Sequence, residues 1–419
     1  MMTVRSCRQC PAALLALVLL ASALTIPALT GCDPSDGSAG VEPVRDTLPG
    51  GVERVRYGPL PPEEPPPLVP DLSIGVVEGD PNFIFGDVRG IEVGSDGAIY
   101  VLDFQAAELR AFEPDGSFRR MVAREGQGPG EIRQANGLAR APDGTFWVQD
   151  HGQWQLLRLT PEGEEVERIP MFVRQFGYLW DGSVDDAGRI WTSESRSLAP
   201  RRGEPEPGLN EGAGEHLLVT HDPAAGTQDS IPLGVREFRS FVVALEGGWS
   251  FWSVPYQPSL LHAVDPAGGV WVATSDAYRI ARLDAGGDTT LVIEVDLPAP
   301  PVTAADRARF VEASRERDPD QEPIARQIAQ VMPETKPVLG QLVVDDRSRL
   351  WVRRFEEEGD PAHFDVFGPT GDYLTSVRLG FQTPAHFPPR IRDGRLHTLA
   401  LDDLDVPSVV RVNVPFPDG

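Results

Sequence analysis

Few residues in this chain have types and spacing that could do chemistry. Cys7 and Cys10 form a C-x-x-C pair, the spacing of redox and metal sites, and the only other cysteine is Cys32. The seven histidines are dispersed, with no H-E-x-x-H among them, and no G-x-S-x-G nucleophile elbow occurs. The run Gly126-Gln127-Gly128-Pro129-Gly130 could turn backbone N–H groups toward an anion, as phosphate loops do. No Lys-Ser/Thr pair follows it and no helix opens after it, so it reads as a structural connection. The Asp-Gly pairs at 96–97, 143–144 and 393–394 read as hairpin turns, not calcium loops. Of the eight tryptophans, Trp147, Trp191, Trp271 and Trp351 recur at one position of a repeat and read as packing residues. Trp154, Trp180, Trp249 and Trp252 do not, and they are the candidate aromatic binding residues for a carbohydrate or peptide.

Composition narrows the classes further. The 419 residues are 41% apolar, enough for a sizeable core. With 38 basic against 63 acidic residues the net charge is −25, which repels a phosphate backbone; nucleic acid is excluded as a partner. Three cysteines make neither a disulfide framework nor a structural zinc site.

Residues 1–31 carry Arg5 and Arg8, no acidic residue, and an apolar stretch from Pro11 to Leu29, the layout of an export signal. Its end, Leu29-Thr30-Gly31-Cys32, resembles the lipobox of bacterial lipoproteins. That resemblance implies cleavage before Cys32, lipid on its thiol, and a membrane-attached domain in the cell envelope facing the periplasm or the exterior. The C-x-x-C pair would leave with the signal. Residues 32–70 are rich in small polar residues and proline and read as an extended tether, with a short strand over Val52 to Tyr57.

The elements that must position any site come from an internal repeat. Ring-bearing residues recur at Tyr100, Trp147, Trp191, Trp271, Trp351 and His397, each after an apolar residue. A second column, Leu109, Leu156, Leu218, Ile280, Phe364 and Val409, marks the next strand of each copy. One copy buries some half a dozen side chains at about 1.5 to 3 kcal/mol each. Ordering some forty residues costs about 1 to 2 kcal/mol apiece, so no copy stands alone. Stacking the copies around a circle covers both faces of every small sheet. The expectation is an all-β fold over residues 71–419: a six-bladed β-propeller whose last blade lacks a fourth strand and is closed by the N-terminal segment Leu72 to Val77. Thr303-Ala304-Ala305-Asp306 and Pro323 predict two helices within 303–332, inserted between the fourth and fifth blades.

Tyr100 to Asp103, Leu109 to Phe112, Asp115-Gly116 and the glycine run to Glu131 together resemble the bacterial six-bladed propeller proteins related to NHL repeats, over roughly Asp71 to Val414. The resemblance implies a channel on the propeller axis, with Arg89, Asn136, Asp181, His262 and Arg390 at its mouth. Two arginines beside one carboxylate and one histidine make a poor cation cage, so no cofactor or resident metal is expected. The leading expectation is a non-catalytic, lipid-anchored module that binds a protein, peptide or glycan. The alternative is an enzyme of the lactonase or lyase type using a divalent cation on the axis.

Overall fold

The computed structural model describes residues 42–61, 65–170, 179–180, 182–198, 206–245, 247–357, 359–402, 404 and 406–416. The export segment, Cys32 and Asp181 lie outside them. The described chain is mostly β and forms six sheets. In chain order their first strands are Val88–Val93, Ala135–Arg140, Ser183–Val184, Leu260–Val264, Leu339–Val344 and Arg390–Arg392. Each first strand pairs antiparallel with the strand that follows it.

The ring column sits in that second strand. Tyr100, Trp147, Trp191, Trp271, Trp351 and His397 are all buried, as is the apolar residue before each. Because side chains alternate across a strand, the ring enters the gap on one side of its sheet and its predecessor the gap on the other. The cores follow from this. Trp147 shares a cluster with Trp180 and Ile190 of the third sheet, while Phe146 shares one with Tyr100 of the first. Further clusters join the third sheet to the fourth, the fourth to the fifth, the fifth to the sixth and the sixth back to the first. Each sheet is therefore covered on both faces, and the circuit of sheets is closed.

The turn after each first strand is built by one of two devices. Where the sequence reads Asp-Gly, Gly97 and Gly144 take φ of +81° and +87°, which only glycine adopts without strain. In the third, fourth and fifth sheets a buried aspartate, Asp185, Asp265 or Asp345, does the work. Asp345 accepts hydrogen bonds from the backbone N–H groups of Arg347 and Arg349, from Arg349 Nε at 2.6 Å and from Trp351 Nε1 at 3.0 Å. Asp185 holds Ala187, Arg189 and Trp191 in the same way. The carboxylate thus fixes the turn and orients the core tryptophan together.

The sixth sheet has three strands of its own, and Leu72–Ile74 pairs antiparallel with the last, Pro407–Asn413. Ile74 faces Val409, and Arg411 reaches Asp71 at 2.7 Å, tying the segment before the first sheet to the last strand of the sixth. The tether read over 32–70 is shorter than its composition suggested. Val44–Thr47 and Glu53–Tyr57 form a hairpin whose second strand runs parallel to Thr289–Val295, and Pro67–Leu68 lies along Tyr373–Leu379. Val55 and Tyr57 alternate into the core of the fourth and fifth sheets, which offsets the cost of ordering this segment.

Two helices, α1 (Ala304–Arg317) and α2 (Glu322–Gln330), connect the fourth sheet to the fifth. Thr303 and Asp306 close a reciprocal capping box on α1. Ile324, Ile328 and Val331 pack with Phe241, Val243 and Trp252, which belong to long strands of the third sheet, Thr227–Leu245 and Gly248–Ser253. The insertion therefore braces an extended hairpin.

Candidate functional site: a central cavity lined by six sheets

A cavity of about 560 Å³ lies where the first strands meet. Every sheet contributes a polar side chain to it: Glu92, Arg140, Ser183, His262, Gln341 and Arg390. Arg392, two residues beyond Arg390 and so on the same face of its strand, joins them. Such a volume suits a small organic molecule.

Charge divides the wall. On the sector formed by the sixth, first and second sheets stand Arg390, Arg392, Glu92 and Arg140. Arg390 Nε is 3.1 Å from Glu92 Oε1. Burial pushes the Glu92 carboxyl above its ordinary range, against the pull of Arg390. Burial likewise pushes the Arg140 guanidinium down, and the Arg392 charge pushes the same way. Among the described residues no acceptor meets the side chain of Arg140, and its Nε is buried without a partner. On the fifth sheet, beside that sector, Asp345 is saturated by the turn it builds, and Asp346 accepts the backbone N–H of Asp393, the residue after Arg392.

Trp180 closes one side. Its ring lies against Gly137 and Gly182, where a Cβ would come within 2.5 Å and 1.9 Å of ring or Cβ atoms, so both positions must lack a side chain. It is 7% exposed, and its indole N–H has no acceptor among the described residues. Two further buried aspartates hold the loops that lead into the first strands. Asp103 accepts the N–H groups of Gly86 and Asp87, and Asp150 those of Arg133 and Gln134.

Of the residues expected at the channel mouth, His262 and Arg390 line the cavity. Arg89 and Asn136 do not. Both occupy β-bulges at the start of their strands, and a bulge re-aims its side chain. Arg89 instead pairs with Asp87 at 2.6 Å, donates to Asn136 Oδ1 at 3.2 Å and lies over the Phe104 ring. Asp181 lies outside the described residues. The four candidate tryptophans do not converge on one binding face: Trp180 is in the cavity wall, Trp252 packs with the helices, Trp249 is half-buried on the third sheet, and Trp154 is exposed in the loop after Asp150. Sequence reasoning missed Glu92, Arg140, Ser183, Gln341 and Arg392. The available signal was the period-2 spacing of Arg390 and Arg392.

The glycine run binds no outside anion, because the chain's own carboxylates occupy it. Gly128 N–H donates to Glu131 Oε2 and Gly130 N–H to Glu165 Oε2, both at 2.8 Å. Among the described residues no three His, Cys, Asp or Glu side chains gather as a metal site. The cavity's own donors, with three guanidinium groups among them, do not fit a cation. Among the same residues no helix is long and apolar enough to cross a membrane.

No family model matches this chain, and no curated protein matches it. Solved structures do. A member of the DUF4221 family from Bacteroides vulgatus is 8% identical, covering 84% of this chain and 98% of its own, with a TM-score of 0.48. A virginiamycin B lyase from Staphylococcus aureus is 13% identical over 82% of this chain and 88% of its own, with a TM-score of 0.36. A gluconolactonase from Xanthomonas campestris is 12% identical over 80% and 87%, with a TM-score of 0.40. The closed circuit of sheets around one cavity is, on its own geometry, consistent with a β-propeller.

Proposed function

We propose that this chain is a six-bladed β-propeller held at the cell envelope by lipid on Cys32, and that it acts as a non-catalytic binding module whose central cavity receives a small ligand or the tip of a larger peptide or glycan. One observation carries the binding reading: a single cavity of about 560 Å³ takes a polar side chain from the first strand of every sheet. Six rigid elements converge on it, and their loops are held by buried aspartates, so the donors and acceptors are preorganised. The lipid anchor rests on the layout of residues 1–32.

The lactonase or lyase alternative uses a divalent cation on the axis. The described side chains there do not make a cage for one, and guanidinium groups repel it.

A thermal-shift screen of small polar molecules against the full chain tests the binding reading, with Gln341→Trp as the cavity-filling control. Molecules that stabilise the natural chain and not the variant support it. Molecules that stabilise both equally, or none at all, refute it. For the anchor, Cys32→Ser should move the chain from the membrane fraction to the soluble fraction; retention in membranes would overturn that part.

A further inference from the structure

The charge on the cavity wall is unbalanced in a way that selects a ligand. In a chain of net charge −25, three guanidinium groups meet one carboxylate on the sector made by Glu92, Arg140, Arg390 and Arg392. Glu92 pairs with Arg390 and also attracts Arg140 and Arg392. The charges of Glu92 and Asp143 favour the charged form of Arg140, but neither carboxylate bonds to its guanidinium. Arg140 has no hydrogen-bonded or ion-paired partner among the described residues, and Arg392 has only Asp393, 3.8 Å from its Nε and three-quarters exposed. Both lie close enough that the charge of Arg392 disfavours the charged form of Arg140. Two like charges side by side in a partly dry wall cost free energy unless an anion joins them. An independent observation points the same way. The indole N–H of Trp180, more than nine-tenths buried in the wall of the same cavity, is a donor with no acceptor among the described residues.

We propose that the central cavity binds a small dicarboxylate, one carboxylate held by the Arg140 guanidinium and the other by that of Arg392. The planar fork of each arginine matches a carboxylate in a two-point hydrogen bond. Two guanidinium groups whose Nε atoms have no hydrogen-bonded partner among the described residues suit a dianion, and a volume of about 560 Å³ holds one of a few carbons with room for water. Asp186, Asp345 and Asp346 also line the cavity, so a third anionic group, as in a tricarboxylate, is disfavoured. Arg390 serves as the positioning residue that keeps Glu92 away from the ligand.

The inference rests on the binding reading above, and the test separates the two. Calorimetric titration of the full chain in detergent, at low ionic strength, uses succinate as the probe, with succinamide and acetate as controls. Succinate is expected to bind, and each control at least about tenfold more weakly. Arg140→Gln and Arg392→Gln should each weaken succinate by about 10- to 100-fold, the effect of losing a charge-assisted hydrogen-bonded pair. Arg140→Lys, which keeps the charge and loses the fork, should fall between and serves if the glutamine variant does not fold. Equal binding of succinate and succinamide overturns the proposal, as does unchanged affinity in both arginine variants. Absence of succinate binding, while a neutral molecule from the thermal screen is lost on Gln341→Trp, overturns the dicarboxylate and leaves the cavity reading standing. Absence of every cavity-dependent ligand overturns both.

Discussion

Replacing Asp345 by alanine measures how much of the fold depends on a turn aspartate. Its carboxylate is fully buried and receives two backbone N–H groups, Arg349 Nε and the Trp351 indole N–H. Alanine leaves a guanidinium that is 9% exposed and a fully buried indole nitrogen without their acceptor. Breaking a buried pair from one side costs about 3 to 5 kcal/mol. The matched change in the first sheet is Asp96→Ala. Asp96 also bridges its turn, to Ala98 N–H at 3.1 Å and to Arg119 at 2.7 Å, but its side chain is 51% exposed. Screening leaves an exposed pair worth about 0 to 1 kcal/mol. The two aspartates occupy equivalent turns, so the difference of at least about 2 kcal/mol reports burial together with the further hydrogen bonds that Asp345 accepts. Urea unfolding followed by far-UV circular dichroism, with the slope m checked for constancy, gives both values. Trp351→Phe supplies the third point, since it removes one donor and keeps the ring column filled, at about 1 kcal/mol. Equal losses for Asp345→Ala and Asp96→Ala would refute the argument that the buried carboxylate organises turn and core together.

Three further outcomes follow from the same coordinates. Burial pushes the His397 imidazole down from 6.5 to about 4, so between those values the unfolded chain holds a proton that the folded chain does not. Stability should therefore fall as pH drops from 6.5 toward 4, by ~3 kcal/mol at most for this group, and His397→Phe should flatten that part of the curve measured by urea unfolding. Ile74→Ala, at a site 2% exposed on the closing strand, should cost about 2 to 4 kcal/mol and raise hydrogen exchange first in Pro407–Asn413; unchanged exchange there would show that the strand does not hold the sixth sheet. Gly182→Ala places a Cβ 1.9 Å from the Trp180 ring and should displace it, seen as a change in tryptophan fluorescence that is absent when Trp180 is already phenylalanine.

What the sequence made legible is the packing, because packing repeats. Tyr100, Trp147, Trp191, Trp271, Trp351 and His397 could be aligned without coordinates, since each copy must fill the same gap between sheets, and all six are buried. The helix-opening Thr303 and Asp306 were legible for a similar reason: a cap is a local contract between neighbours in sequence. The edge strands were harder to see. Val44–Thr47 and Pro67–Leu68 lie in a stretch whose prolines read as a tether, and they are strands only because distant strands offer them an edge. Trp180 was read as a candidate exposed ring, yet it is buried, because Gly137 and Gly182 make room for it from two different sheets.

The site itself was illegible for a deeper physical reason. Each first strand gives the cavity one or two polar side chains, so Glu92, Arg140, Ser183, His262, Gln341 and Arg392 are brought together from across some three hundred residues with no shared motif. Alternation could say that Arg390 and Arg392 share a face, but not which face, because a bulge at Arg89 or Asn136 reverses the phase within a strand. The same geometry explains why Arg140 and Arg392 can lack hydrogen-bonded partners among the described residues in so acidic a chain. Most of the surplus carboxylates that bond to arginine do so in turns and along strand edges, as Asp143 does with Arg158 and Asp46 with Arg54. Those partners are neighbours across a hairpin, whereas a side chain on the axis has only the axis to face. A ligand is then the group best placed to balance what the fold leaves open there.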